Sequence, residues 1–187
     1  MENVEEGGIM QLYLREITKN DQQELLQMVN EIKNDTIEDK FEGFRDIQYL
    51  TEENFDDFLI EREHNKNMKL YRPNLVNQTT YILVNDNNHI YGGTNLRHEL
   101  NDNLLNFGGH IGYLIRPSER RKGYGTLILS LVLKECQRMG ITKVLVTCRE
   151  ENIGSAKVIE NNHGIYENSM KKFEDNKIYR RYWIELY

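Results

Sequence analysis

The segment that most constrains the fold is residues 107–146, where a strand pattern, a glycine-containing turn, a long amphipathic helix and a buried strand follow one another. Residues 123–139 sort their side chains onto an apolar and a polar side, and Gly140 supplies a C-terminal cap. The all-apolar residues 144–146 follow at once, which is typical of a strand that is buried on both faces and paired in parallel. The segment therefore predicts a sheet that contains parallel pairing and a helix packed beside it.

The rest of the chain alternates between strand and helix patterns. We predict strands over residues 10–17, 79–84, 89–96, 107–115, 165–173 and 178–187, and further helices over residues 18–34, 51–67 and 153–161. The turns Asp86-Asn87-Asn88 and Asn101-Asp102-Asn103 make the three strands between residues 79 and 115 consecutive and antiparallel. The resulting order, β-α-α-β-β-β-α-β-α-β-β, predicts an α/β domain with a mixed sheet.

Composition bounds the class of protein. The length of 187 residues fits one domain over residues 1–187, and 39% hydrophobic with 29% charged residues is typical of a soluble globular protein. The densest apolar run, residues 127–133, is about a third of the length that spans a bilayer, and the acidic start of the chain does not resemble a signal peptide. We therefore expect a cytoplasmic protein with no membrane partner. The net charge of -6 also argues against a nucleic-acid partner.

The two cysteines, Cys136 and Cys148, fall in the long helix and in the strand that follows it. The sequence has no CxxC pattern and no cluster of cysteine with histidine. We predict reduced thiols in the core, with no metal site and no redox pair.

The turn before the long helix carries the first functional pattern. Gly123 and Gly125 leave backbone N–H groups uncovered at a helix start, where the helix dipole also favours an anion. Arg120, Arg121 and Lys122 add positive charge to the same place. The turn therefore predicts a phosphate-type anion site, although a glycine-rich start that only permits tight packing is the alternative.

The sequence of this turn does not match either of the two common nucleotide-binding motifs. A Walker A loop requires a lysine after its second glycine, and a dinucleotide fingerprint requires a third glycine where this sequence has Ile128.

The sequence here resembles the GNAT superfamily of N-acetyltransferases. Residues 120–125 (RRKGYG) match its [QR]xxGx[GA] acyl-CoA pyrophosphate loop, residues 110–117 (HIGYLIRP) resemble its splayed central strand, and residues 152–155 (NIGS) resemble the start of its next helix. Residues 96–98 (LRH) with residues 108–113 (GGHIGY) are more narrowly similar to a bacterial subgroup of predicted acetyltransferases.

The resemblance implies a GNAT-like fold, with a mixed, mostly antiparallel sheet flanked by helices, and acetyl-CoA as cosubstrate. The cofactor-binding residues that it implies are the main chain of Leu114, Ile115 and Arg116 along the pantetheine arm, Arg120, Arg121, Lys122, Gly123, Tyr124, Gly125 and Thr126 around the pyrophosphate, and Asn152 and Ser155 from the next helix. The implied reaction is direct transfer of acetyl to a primary amine of a small molecule or peptide. Which amine is used stays open, as does the formation of a homodimer.

The amine must lose a proton before it attacks, so a base is expected. His110 occupies the place where GNAT enzymes often carry a glutamate, and an ordinary histidine pKa of about 6.5 suits that role. His98 and Glu99 are the nearby alternatives. A half-buried His110 that only makes hydrogen bonds is the competing interpretation.

The general acid is harder to place. The family's usual tyrosine lies seven residues after the asparagine, and this sequence has Ile159 there. Tyr166 is our candidate for the acid, with Tyr113 and Tyr124 also near in sequence, although each of these is more often a packing residue. Because the usual tyrosine is missing, a catalytically silent acyl-CoA-binding module is an alternative interpretation of the function. A thioesterase is a further alternative.

An acidic and aromatic stretch borders the region where GNAT enzymes usually admit the acceptor. Its members are Asp35, Glu38, Asp39, Phe41, Glu42, Phe44, Asp46 and Tyr49. Carboxylates here would attract a cationic amine, and the aromatic rings would cover its apolar part. The stretch therefore predicts a basic acceptor, against the alternative of an ordinary solvated acidic loop.

Overall fold

A computed structural model describes residues 11–37 and 40–187 of the chain. The strands are β1 Leu12–Glu16, β2 Gln78–Asn85, β3 Ile90–Arg97, β4 Ile111–Ile115, β5 Lys143–Arg149, β6 Ile165–Lys172 and β7 Lys177–Glu185. The helices are α1 Gln22–Lys33, α2 Phe55–Asn65, α3 Met68–Tyr71, α4 Tyr124–Arg138 and α5 Ile153–Asn161. The acidic start of the chain, with residue 10 of the first predicted strand, and Glu38 and Asp39 lie outside the described residues.

The seven strands form one sheet in the order β1-β2-β3-β4-β5-β7-β6. Strands β2, β3 and β4 are antiparallel neighbours, as predicted, and β4 pairs with β5 in parallel. The other neighbouring strands are antiparallel. The predicted mixed, mostly antiparallel sheet flanked by helices is therefore confirmed.

Each face of the sheet is covered by helices. On one face, α1 and α2 bury residues such as Leu25 and Phe55 against β2 and the side chain of Leu114 in β4. On the other face, α4 and α5 pack against β3, β4, β5 and β7 around Leu129 and Val146. Each fully buried aliphatic side chain of this kind stabilises the fold by about 1.5–3 kcal/mol. The two layers hold β4 and β5 in the middle of the molecule.

The predicted strand over residues 107–115 is wrong at its beginning. Leu104–Gly108 form a π-helical turn, and the strand starts at Ile111. Side chains from three strands donate hydrogen bonds to carbonyl oxygens of this region: Thr147 Oγ1 at 2.8 Å, Arg97 Nη1 at 3.0 Å and Arg181 Nε at 3.1 Å. These contacts come from residues distant in sequence, so the local pattern gave no indication of them.

The second helix is shorter than predicted. It covers Phe55–Asn65, and a separate turn of helix follows at Met68–Tyr71. Thr51 and Asn54 exchange side-chain hydrogen bonds with each other's amides at 2.8 and 3.4 Å, and so close a turn before the helix in place of its predicted first residues. None of the helices in residues 11–37 and 40–187 is long and apolar enough to cross a bilayer.

Cys136 and Cys148 are buried free thiols, as predicted. Burial raises the pKa of each thiol to about 12, so both stay protonated at neutral pH.

Candidate active site

The centre of the sheet opens between β4 and β5. Their parallel register contains the pair Ile111 and Val146, and no later residue of β4 pairs with β5 in the part of the chain that the structure describes. On its other side, β4 pairs with β3 along its whole length. The strands therefore part after Ile111 and leave one edge of β4 available.

The alternation of backbone groups identifies which residues face this opening. The amide of Arg116 donates to the carbonyl oxygen of Tyr91 at 2.9 Å, so Arg116 is paired with β3. Since backbone groups alternate between the two edges of a strand, Ile115 and Tyr113 present theirs to the opening. The main chain of Arg116, which was expected to pair with a pantetheine arm, is therefore already in use.

The side chain of Arg116 is buried in an ion-pair cluster. Its Nε donates to Glu31 Oε1 at 2.7 Å, and its Nη1 donates to Glu24 Oε1 at 2.5 Å. Both glutamates lie on α1, so Arg116 ties the end of β4 to that helix. This residue has a structural function that its place in the motif did not predict.

Helix α4 begins at the end of this opening without a side-chain cap. Gly123 is its N-cap and has a φ of +90°, a conformation that favours glycine. A Cβ placed on Gly123 would meet nothing within 4 Å, so the space beside it is open. The amides of Tyr124, Gly125 and Thr126 lie in the first turn, where no carbonyl of the helix itself can accept from them. This start of the helix is therefore suited to an anion, as the sequence predicted.

The three cations before the helix differ in their surroundings. Arg120 forms an ion pair with Asp35, and its Nε donates to the carbonyl oxygen of Ile115 at 3.3 Å. Lys122 pairs with Glu119 at 3.0 Å. Arg121 is exposed and has no ion pair among the described residues. Because two of the three charges are partly neutralised, the backbone amides and Arg121 are the main anion-attracting groups.

Gly125 has a different function from Gly123. A Cβ on Gly125 would lie 3.0 Å from Cγ2 of Val158, which belongs to α5. The missing side chain therefore lets α4 approach α5 closely. The contact supports the tight-packing alternative for Gly125, while the anion interpretation stays a prediction for Gly123.

The beginning of α5 meets β4 beside the opening. Asn152 Oδ1 accepts from the amide of Ser155 at 2.9 Å, so Asn152 is the N-cap of α5. The hydroxyl groups of Ser155 and Tyr113 lie 2.8 Å apart. Burial raises the pKa of Tyr113, so its hydroxyl keeps its proton at neutral pH. Only the tertiary structure pairs Tyr113 with Ser155.

His110 lies at the closed end of the opening, and only 7% of its surface is exposed. Its ring Nδ1 accepts from the amide of Leu145 at 2.9 Å. Burial, together with the nearby charge of Arg97, lowers its pKa to about 4. The ring is therefore neutral at pH 7 and already hydrogen-bonded. This geometry favours the structural interpretation, and a role as general base stays a prediction.

The other catalytic candidates, His98 and Tyr166, differ in their surroundings. His98 Nε2 lies 2.9 Å from Thr79 Oγ1, and burial lowers its pKa although Glu99 acts in the opposite direction. Tyr166 is 53% exposed on β6, and β7 separates it from β5, so it lies about 10 Å from that strand. Tyr166 as general acid therefore stays a prediction that the geometry does not support.

The acidic stretch is paired with arginines. Asp35 pairs with Arg120, Asp46 with Arg62, and Glu42 with Arg149 at 2.6 Å. The two phenylalanines of the stretch, at positions 41 and 44, are buried in the core. The described carboxylates thus fasten this segment to the protein, which weakens the reason to expect a basic acceptor. Within residues 11–37 and 40–187, no three His, Cys, Asp or Glu side chains are grouped to hold a metal ion.

Solved structures share this fold. RimL, a ribosomal L7/L12 α-N-protein acetyltransferase in complex with coenzyme A, is 20% identical, with a TM-score of 0.65 and 94% of each chain covered. A Salmonella typhimurium acetyl transferase that modifies the N-terminal serine of ribosomal protein L7/L12 is 20% identical, with a TM-score of 0.64 and coverage of 94% of this chain and 95% of that one. YncA from Salmonella typhimurium with its cofactor acetyl-CoA is 13% identical, with a TM-score of 0.61 and 94% of each chain covered.

No curated protein matches the sequence. The family model of the acetyltransferase (GNAT) domain matches residues 11–164, which is most of the chain and includes the opening, the start of α4 and α5. The chain therefore belongs to the GNAT acetyltransferase family, as its motifs indicated.

Proposed function

We propose that the protein transfers an acetyl group from acetyl-CoA directly to a primary amine of a small molecule or peptide. The observation that carries this proposal is the opening between β4 and β5, which leads to the uncapped start of α4. An unpaired strand edge beside a helix N-terminus suits a ligand with an amide-containing arm and a phosphate group. Coenzyme A has both. The structures of RimL and YncA, which hold CoA and acetyl-CoA, support the choice.

The cofactor would be held mainly by backbone groups. The amides of Tyr124, Gly125 and Thr126 would donate to the pyrophosphate, and the exposed side chain of Arg121 would add charge. The backbone groups of Tyr113 and the amide of Ile115 would pair with the pantetheine arm like an added strand, while the carbonyl oxygen of Ile115 already accepts from Arg120. Compared with the sequence prediction, this moves the contact from Leu114 and Arg116 to their neighbours.

Acetyl-CoA supplies an activated thioester, so the chain has to position the amine for attack. The amine must also lose a proton, and the leaving thiolate must be stabilised or protonated. The hydroxyl pair of Tyr113 and Ser155 lies beside the opening and can donate a hydrogen bond toward a leaving thiolate. His98 and His110 are the histidines near the closed end, but both rings are already hydrogen-bonded. We therefore propose that a water molecule or a base from the solution removes the amine proton.

The comparison proteins suggest a peptide amine as acceptor. Two of them act on the N-terminus of ribosomal protein L7/L12. In this chain, the arginine pairs of Asp35, Glu42 and Asp46 leave less free negative charge for a polyamine or aminoglycoside. A peptide α-amine is therefore the first acceptor to test.

A thiol-release assay with acetyl-CoA and an amine panel tests the proposal. The panel should contain N-terminal peptides, a polyamine, an aminoglycoside, lysine and glutamate, with a reaction without acceptor as the control. Release of CoA that requires an amine and produces an acetylated product is the expected result. Thiol release that is equally fast without acceptor would identify a thioesterase, and CoA binding without any turnover would identify a silent binding module.

Acetyl-CoA and free CoA should both stabilise the protein, because both present the same pyrophosphate to α4. At a ligand concentration of 100 times Kd, the free energy of unfolding should rise by about 2.7 kcal/mol. Thermal melts with CoA, acetyl-CoA and pantetheine measure this effect, and pantetheine, which lacks the pyrophosphate, should stabilise less. Equal effects from pantetheine and CoA would contradict the assigned anion site.

A further inference from the structure

His110 makes two hydrogen bonds to one residue of the neighbouring strand. Its amide donates to the carbonyl oxygen of Leu145 at 2.8 Å, and its ring Nδ1 accepts from the amide of Leu145 at 2.9 Å. Both backbone groups of Leu145 are therefore satisfied by a single residue. In a regular parallel ladder, the amide of Leu145 would instead donate to a backbone carbonyl. The histidine ring takes the place of that carbonyl.

Gly109, the residue before His110, allows this contact. Gly109 has a φ of +64°, and a Cβ on it would lie 2.6 Å from the carbonyl oxygen of Leu145. Any other residue at this position would push β5 away. The close approach of the two strands thus depends on glycine at position 109.

Arg97 holds the same turn from the other side. Its Nη1 donates to the carbonyl oxygens of Gly108 and Gly109 at 3.0 and 3.1 Å, and its amide donates to the carbonyl oxygen of His110 at 2.8 Å. Arg97 and residues 108–110, which contribute to the family resemblance, therefore form one structural unit that sets the position of His110.

This unit lies where β4 and β5 begin to part. The residue after His110 is Ile111, which forms the pair with Val146, and the opening follows. We infer that His110 is a positioning residue that fixes the register of β4 against β5 and thereby sets where the cofactor opening begins. The inference rests on the proposed function, since it assigns a role to His110 in that same site.

The same contacts argue against proton transfer by His110. Because Nδ1 accepts a hydrogen bond, the neutral ring carries its proton on Nε2. Neither nitrogen then has a free lone pair for the proton of an amine. A base at this position would first have to break the bond to Leu145.

Three variants separate positioning from base catalysis. His110→Asn places an oxygen acceptor at the same distance along the side chain as Nδ1, whereas His110→Gln moves the acceptor one bond further and His110→Ala removes it. None of these side chains accepts a proton at neutral pH. We expect His110→Asn to keep kcat/KM and the Kd of CoA within about threefold of the wild type. In the other two variants, kcat/KM should fall about tenfold or more, or the Kd of CoA should rise by that factor.

Hydrogen exchange gives a readout that needs no substrate. The amide of Leu145 should exchange at least about tenfold faster in His110→Ala and His110→Gln than in the wild type, and near the wild-type rate in His110→Asn. An unchanged rate in His110→Ala would overturn the inference. So would a loss of turnover in His110→Asn as large as in His110→Ala together with loss of the acid limb of the pH profile, because that result would identify a base. If the wild type binds no CoA, the proposed function fails, while the exchange rates still test the strand contact.

Discussion

At the scale of single residues, Gly125 shows how the glycine motif divides between binding and packing. Its absent side chain faces Val158 on α5, so Gly125→Val forces two branched side chains into one space. We expect a loss of about 1–3 kcal/mol in the free energy of unfolding, measured by urea denaturation. Val158→Ala introduced into the Gly125→Val background should recover a large part of this loss. If Gly125→Val leaves stability unchanged and abolishes CoA binding, the residue faces the phosphate after all.

Substitutions of Gly123 should act through the backbone conformation at this position and not through the volume of the new side chain. The space beside it is open, but its φ of +90° strains any residue with a Cβ. We expect Gly123→Val to cost about 1–2 kcal/mol or to rearrange the helix start, with weaker binding of CoA as the consequence. Gly123→Asn is the matched control, because asparagine tolerates left-handed backbone and should weaken CoA binding less. Equal CoA affinity in the two variants would argue against a conformational role for Gly123.

At the scale of elements, the segment after α1 crosses the opening. A Cβ on Gly43 would lie 2.3 Å from the carbonyl oxygen of Tyr113, which places this segment directly on β4. The neighbouring Glu42 reaches Arg149 at the end of β5. The segment therefore spans from one strand to the other on the face opposite α4 and α5, and we propose that it borders the acceptor.

Removing the ion pair that holds this segment to β5 should weaken binding of the acceptor more than binding of the cofactor. We expect Glu42→Gln to raise the acceptor KM several-fold, with about 1–3 kcal/mol lost from the charged hydrogen bond, and to leave the Kd of CoA nearly unchanged. Steady-state kinetics with the best amine of the panel and titration with CoA measure the two quantities. Glu63→Gln, which removes an exposed carboxylate paired with Lys66, is the control and should change neither. An unaltered acceptor KM in Glu42→Gln would show that this segment does not border the bound acceptor.

At the scale of the whole molecule, His110 couples stability to pH. Its pKa is about 4 in the folded protein and about 6.5 when unfolded, so the unfolded chain binds the extra proton between these values. The stabilising contribution is therefore complete above pH 6.5 and is lost as the pH falls toward 4. We expect the free energy of unfolding to fall up to about 2 kcal/mol more in the wild type than in His110→Asn between pH 7 and pH 4.5.

Urea denaturation at several pH values measures this difference. The carboxyl groups of Asp21, Glu31 and Asp35 also have lowered pKa values, since hydrogen bonds from basic or hydroxyl side chains outweigh the effect of burial. Their ion pairs are lost at lower pH in both proteins, so they do not affect the comparison. Parallel pH profiles for the two proteins would show that His110 titrates normally in the folded state.

Much of the fold could be predicted because its elements are encoded locally. The helix over residues 124–138 follows from its apolar spacing, and the parallel strand after it follows from its apolar run. The uncapped start of α4 was also recognisable, since a glycine-rich helix start depends on neighbouring residues alone, and its role as an anion site stays a prediction. The sequence by itself thus determined the order of the elements and the family, and it predicted the place of the cofactor loop.

The roles of individual side chains depended on contacts between distant residues. His110 looked like a base because its residue type suits proton transfer, whereas the amide of Leu145 occupies its ring. The carboxylates after α1 were expected to attract a cationic acceptor. Instead, Asp35 pairs with Arg120, which lies 85 residues later in the chain, and Glu42 pairs with Arg149, which lies 107 residues later. Only the tertiary structure decided these roles, because the strength of a hydrogen bond or an ion pair depends on which groups packing brings within about 3 Å, and packing is a property of the whole chain.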